Sequence, residues 1–375
     1  MAAVLAVVAI WASLPYLTAA RFLVALTGQP AWAARHLPRS GAVPHRDVEV
    51  PTRHGPVAAR IYQPDGRASR TLAVFPGVHA GGVDEPRLAE LSSRLAATGA
   101  VVVSAPLPEL RRYLVTPRST DAIEDVTAWV ASREDLAPDG VVGIVGVSFA
   151  GGLAIVAGGR PSIRDRVSAV VSIGGYGDLP RVMRFLCTGR TAAGGAMPPN
   201  DYGVAVLLLG AVESLVPADQ AVALRRVIRT MLDAGSAQRS DPSRAAVLAA
   251  EAARDAATLP APASELAALA LARDVTALGP RLLPFVETLG SAPALSPERS
   301  PAPAAPVFLL HGADDDLIPP SETTRLADDL RARGVPRVRA LITPFLSHAD
   351  VEPRTSIADG WALLRFWSAL LRASD

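Results

Sequence analysis

Val141–Gly152, "VVGIVGVSFAGG", is the stretch on which the reading of this chain turns. From Val141 to Val147 it is apolar and β-branched, as a buried strand is, and Ser148 ends the run. Phe149, Ala150, Gly151 and Gly152 follow, three of them small, and open a helical pattern. A lone serine there is either a polar residue in a turn or a nucleophile lifted clear of a sheet edge. A sharp strand-to-helix turn needs small neighbours, because its backbone passes close to the adjoining strands. Gly146, Gly151 and Gly152 meet that need, and Ala150 nearly does.

Outward from this stretch, strand and helix patterns take turns. "RDVEVPTRHGPVAARIYQP" alternates on both sides of His54-Gly55-Pro56, which predicts a β-hairpin. "TLAVFPG" and "AVVVSAP" predict strands, with a helix over "PRLAELSSRLAATG" between them and another in "STDAIEDVTAWVASRED", with Ser119 and Thr120 as N-caps. "RVSAVVSIGGYGD" predicts a further strand. Near Arg181 the alternation gives way to an Ala/Leu-rich helical block that lasts to about Pro303. Strands then return in "APVFLLHG" and "RVRALITP", separated by the helix "SETTRLADDLRARG" and followed by "IADGWALLRFWSALLRA". Such alternation predicts an α/β fold with a mostly parallel sheet, covered by helices on both faces. The organisation read from it is an apolar segment 1–27, a linker 28–44, a core of 45–180 and 303–375, and a helical cap 181–302 laid over the strand ends.

Composition excludes several classes of function. The chain has 375 residues, half of them hydrophobic, and a formal net charge of +1. That balance, with no basic stripe interleaved with aromatics, gives no expectation of nucleic-acid binding. Cys187 is alone, so the fold stands on packing rather than on an internal disulfide. Six histidines make no zinc-like spacing, and the phosphate-loop and dinucleotide fingerprints are absent, so neither metal nor cofactor is expected.

Residues 1–20, "MAAVLAVVAIWASLPYLTAA", carry no charged side chain. Twenty apolar residues in a helix match the hydrocarbon core of about 30 Å, so a membrane anchor is expected here. Arg21, Arg35, Arg39 and Arg46 follow with no acid before Asp47, which favours the cytoplasmic side for the rest of the chain. Pro15 and the short length leave the alternative of a helix packed on the domain.

A serine nucleophile needs a base, and the base an orienting carboxylate. "VFLLHGADDDLIPP", residues 307–320, ends a strand and carries three aspartates, and "ITPFLSHADVEP", residues 342–353, places His348 just past the last strand. "VFPGVHAGG", residues 74–82, is a Gly-rich loop after the first central strand. Serine, aspartate and histidine thus come in that order, each after a different strand of one sheet.

That order resembles the α/β-hydrolase superfamily, nearest to dienelactone hydrolases and related serine esterases or peptidases, over about residues 45–180 and 303–372. The superfamily's G-x-S-x-G elbow is matched at Gly146, Val147, Ser148 and Phe149 but ends in Ala150, which adds one methyl. Its H-G-x-x-D-x-x-[V/I]-P loop is matched by His311, Gly312, Asp315, Ile318 and Pro319, which selects Asp315 over Asp314 and Asp316. The resemblance implies Ser148 as nucleophile, His348 as base and Asp315 as its orienting acid. Phe149 and Val78 would supply the backbone N–H groups of an oxyanion hole, with His79 as an alternative to Val78. Asp178, after the sixth strand, is the rival acid, and His311 reads as a loop anchor. The implied activity is hydrolysis of a small-molecule ester with an apolar acyl or alcohol part. Lactone, thioester, peptide and carbon–carbon substrates stay open. So does a non-catalytic, membrane-tethered protein that binds a lipid or protein partner, although such a chain often lacks a triad residue.

Overall fold

A computed structural model describes residues 14–24, 43–64, 66, 68–346 and 356–373. Eight strands form one sheet in the order β1-β2-β4-β3-β5-β6-β7-β8. β1 (His45–Val50) and β2 (Val57–Tyr62) make an antiparallel hairpin, and β2 also runs antiparallel to β4 (Ala100–Ser104). β3 (Arg70–Phe75), β5 (Val142–Val147), β6 (Val167–Ile173), β7 (Val307–Gly312) and β8 (Val338–Thr343) continue the sheet, and from β4 to β8 every pairing is parallel. This is the α/β-hydrolase architecture.

The central strands β3 to β7 are buried on both faces, so their two sets of side chains feed two cores. Ala73, Phe75, Val101, Val103 and Ile144 join Ile123 and Val126 of α3 (Pro117–Ala131) and Leu153 of α4 (Phe149–Gly158). Leu72, Val74, Val102 and Val145 point the other way, to Leu88 and Leu95 of α1 (Pro86–Ala96) and to Phe366 and Trp367 of α13 (Ile357–Ala373). α2 (Pro108–Arg111) is a single turn leading to Tyr113.

One helix start differs from the sequence reading. α3 begins at Pro117 with Thr116 as N-cap, so Ser119 and Thr120 lie inside it. Proline at the first helical position sets φ and needs no hydrogen-bond acceptor. Both residues are buried, and Thr120 Oγ1 instead donates to the Ala294 carbonyl at 2.6 Å.

Between β6 and β7 the chain folds into helices: α5 (Leu179–Thr188), α6 (Asp201–Leu215), α7 (Ala218–Ala237), α8 (Pro242–Ala256), α9 (Ala263–Leu271), α10 (Val275–Leu282) and α11 (Val286–Gly290). An ion network fastens both ends of this block. Arg181 of α5 pairs with Glu298 at 2.6 Å and with Glu322 at 2.5 Å. Glu322 is buried on α12 (Ser321–Ala332) and also accepts the Gly177 N–H at 3.1 Å. Burial of these charges is tolerable because each has an opposite charge and hydrogen bonds.

Residues 14–24 are helical and lie against α13: the Phe22 and Trp367 rings are 4.5 Å apart, and the Arg372 guanidinium stands 5.1 Å over Tyr16. The rest of the expected anchor, 1–13 and 25–27, lies outside the described residues. Among those described, no helix is long and apolar enough to cross a membrane.

Candidate active site

The sheet reverses its order of travel between β3 and β5: the chain steps outward from β3 to β4, then returns to β5 and proceeds the other way. Ligands of open α/β sheets gather at the carboxyl ends of strands at such a point. The loop after β3 and Ser148 after β5 meet there.

Ser148 has φ 56° and ψ −128°, a conformation that L-residues rarely adopt, and α4 starts immediately after it. Strain of this kind, of order 1–3 kcal/mol, persists only where the surroundings over-determine it. Here the surroundings are glycines. A Cβ on Gly146 would lie 2.2 Å from the Ala150 carbonyl oxygen, and one on Gly151 would lie 2.5 Å from Ser172 Oγ. α4 therefore crosses β5 and β6 almost backbone to backbone. The added methyl of Ala150 is accommodated in the core, fully buried. Ser148 N–H donates to the Ile173 carbonyl at 2.7 Å, which ties the turn to the end of β6.

Gly77 faces the serine from the loop after β3. A Cβ there would be 2.8 Å from Ser148 Cβ and 3.3 Å from its Oγ, so only glycine lets the loop come this close. Phe149 is the first residue of α4, and its N–H is among those with no acceptor inside the helix. Val78 follows Gly77, and its carbonyl accepts the Tyr202 hydroxyl at 2.8 Å. His79 Nδ1 accepts the Gly81 N–H at 3.0 Å, and burial holds its pKa below the ordinary histidine value. Its ring is a neutral loop anchor.

Asp315 is buried while Asp314 is exposed. Its Oδ1 accepts the N–H groups of Leu317 at 3.0 Å and Ile318 at 2.9 Å. Its Oδ2 lies toward Gly174 at the end of β6, where an added Cβ would be 3.6 Å away. Asp316 does a different task, accepting Asn200 Nδ2 at 3.1 Å at the start of α6. His311 is fully buried: Nε2 donates to the Ile318 carbonyl at 2.8 Å and lies 3.4 Å from Asp315 Oδ2, while Nδ1 meets Thr323 Oγ1 at 2.7 Å. One ring nitrogen is engaged by the acid loop and the other by α12, so this histidine ties the loop to that helix. His348 lies outside the described residues. Asp178 is committed elsewhere: it caps α5 through Arg181 N–H at 2.9 Å and takes Arg299 Nε at 2.6 Å.

A cavity of about 900 Å³ opens over Ser148. Its floor is Pro76–His79 with Val147 and Ser148, and α6 and α7 roof it with Tyr202, Ala205, Met231 and Leu232. The apolar run of α6 is divided between two tasks. Tyr202 and Ala205 face the cavity, whereas Val204, Leu208 and Val212 are packed in the core. Tyr202 carries no motif in the sequence, and no local signal points to it. Among the described residues no cluster suits a metal ion.

Comparison with known proteins agrees with the architecture. The sequence profile of the Prolyl oligopeptidase family matches residues 290–374, which include β7, Asp315 and β8. No curated protein is matched by the sequence. Among solved structures, a thermostable esterase from Pseudomonas putida ECU1011 is similar at 14% identity and a TM-score of 0.50, covering 91% of this chain and 86% of its own. A Pyrobaculum calidifontis esterase is similar at 20% identity and a TM-score of 0.49, covering 88% of this chain and 86% of its own. EstE1, a thermophilic carboxylesterase cloned from a metagenomic library, is similar at 18% identity and a TM-score of 0.49, with coverages of 90% and 92%.

Proposed function

We propose that this chain is a serine hydrolase that cleaves carboxyl esters through an acyl-enzyme. The observation that carries the reading is Ser148, held at φ 56° on the strand-to-helix turn and facing the Gly-rich loop across the floor of a large cavity. Ser148 Oγ attacks the ester carbonyl carbon while His348 takes its proton. The carbonyl π pair moves to oxygen, and the Phe149 and Val78 N–H groups receive that charge. Collapse of the intermediate expels the alcohol, which leaves with the proton from His348, and water then releases the acid by the same route. Asp315 holds the imidazole tautomer and stabilises its charged form. Its two backbone N–H bonds suit a carboxylate that must stay ionised and fixed. The esterases similar in fold favour esters, and the Prolyl oligopeptidase match keeps peptide bonds as the second substrate class. A fluorophosphonate probe should label the wild type and spare Ser148→Ala; equal labelling of both refutes the assignment.

The reading extends to membrane association through the apolar start of the chain. It is supported by residues 1–20, which carry no charged side chain, and by the exposed Leu14 and Leu17 of the 14–24 helix and Trp361 of α13, the last stacked on Tyr16 with ring centroids 6.2 Å apart. Retention of the full chain in membranes through a carbonate wash tests it, and full release overturns it.

A further inference from the structure

The two proposed oxyanion donors are held by different parts of the molecule. Phe149 N–H belongs to α4, which is locked into the core by its glycine contacts. Val78 lies among Gly77, Gly81 and Gly82, where the backbone has the greatest freedom to lose its geometry. The loop's restraints come from the cap and from α2. Tyr202 of α6 donates its hydroxyl to the Val78 carbonyl at 2.8 Å. Tyr113, in a left-handed conformation at φ 62°, donates to Asp233 Oδ1 of α7 at 2.5 Å and lies 3.1 Å from Ser236 Oγ. Two residues earlier, Arg111 Nε donates to the Ala80 carbonyl at 3.1 Å. The Tyr113 and Tyr202 rings meet edge to face with centroids 6.2 Å apart. One hydrogen bond thus runs from α6 directly into the loop, and α7 braces Tyr113, whose ring packs against that of Tyr202.

We infer that Tyr202 is a positioning residue: its hydroxyl anchors Val78 by its carbonyl, and so holds in place the residue whose own N–H, on the preceding Gly77–Val78 peptide, is offered to the developing oxyanion, which makes the seated cap part of the oxyanion hole. The inference rests on the serine hydrolase reading. A carbonyl can only accept, so the bond needs the phenol protonated, and burial pushes the Tyr202 pKa up, which keeps it so. Preorganisation of this kind matters for catalysis because it removes reorganisation at the moment of reaction rather than adding ground-state affinity.

The test is Tyr202→Phe, which keeps the ring and its contact with Tyr113 and removes the hydroxyl. Hydrolysis of p-nitrophenyl acetate should lose about tenfold or more in kcat with KM within about twofold. Affinity for a trifluoromethyl ketone, which adds Ser148 Oγ and places an oxyanion in the hole, should fall by the same factor as kcat/KM. Tyr113→Phe, which frees from α7 the ring that packs against Tyr202, should produce a smaller loss of the same kind and serves if Tyr202→Phe folds poorly. A lower Tm with kcat and ketone affinity unchanged would mean ordinary packing and overturns the inference alone. Failure of the wild type to be labelled at Ser148 overturns the hydrolase reading and the inference together.

Discussion

The elbow at Ser148 and the loop at Val78 lie side by side on the floor of one cavity, yet they are built on opposite plans. The elbow is held by backbone against backbone: Gly146 and Gly151 have no room for a methyl, and the turn is strained but immovable. The loop is held by side chains that arrive from the cap and from α2. Steric fit of the first kind fails all at once, because packed interiors have no slack. Hydrogen bonds of the second kind are individually worth about 0.5–1.5 kcal/mol, so they can be lost one at a time and regained. The turn that carries Ser148 is therefore fixed by the core itself, whereas the loop at Val78 keeps its geometry through contacts that the cap supplies.

Substitutions should separate the two plans. The largest effect is expected from Gly146→Ala, whose Cβ would fall 2.2 Å from the Ala150 carbonyl oxygen. Stability should drop by about 3 kcal/mol or more, read as a lower urea midpoint. A near-native midpoint would show that the elbow can yield as the loop does.

Asp315→Asn comes next and should leave the fold intact. The amide oxygen can still accept from Leu317 and Ile318, but it no longer holds the imidazole tautomer. Turnover should fall by about 10³–10⁴ with Tm shifted by only a few degrees. Asp178→Asn should do the reverse. Asparagine caps α5 as well as aspartate, so the loss is the charge facing Arg299, about 1–3 kcal/mol of stability with kcat kept. If Asp178→Asn were the change that abolishes turnover, the acid would sit after β6.

The smallest effect is a pH dependence confined to the loop. Burial holds the His79 pKa below its unfolded value, with Arg87 acting in the same direction and Glu85 and Asp233 opposing it. A depressed folded pKa means the unfolded chain binds the proton first. The stability from His79 is then complete above about pH 6.5 and is lost as pH falls through the folded value. Protonation also removes the acceptor for the Gly81 N–H. Between about pH 7 and pH 5 the wild type should lose a few degrees of Tm that His79→Gln keeps. Parallel slopes for the two proteins would detach His79 from loop stability.

Much of this was legible along the chain because it is local. A buried strand, a helix and the turn between them are written in consecutive residues, so β5, Ser148 and α4 could be read from "VVGIVGVSFAGG". The acid loop was legible for the same reason: Asp315 accepts from residues two and three positions ahead, and His311 binds the carbonyl seven ahead. A neighbouring local signal misled, since the start of α3 followed Pro117 rather than the hydroxyls of Ser119 and Thr120.

The residues that join cap to loop left no mark in the sequence. Tyr202 reaches a carbonyl 124 positions away, and Tyr113 reaches a carboxylate 120 away. Periodicity tells which face of α6 is apolar, but Tyr202, Ala205 and Val206 all lie on a helix whose buried residues run nearly all round it. Which of them meets the cavity depends on how α6 docks, and that follows from distant restraints such as Arg181 between Glu298 and Glu322. Sequence alone determined the strand-and-helix alternation, the sharp turn at Ser148 and the loop that buries Asp315, because those are set by neighbours in the chain. The tertiary structure alone decided what holds the Val78 loop, because a hydrogen bond across more than a hundred residues exists only once both elements are packed.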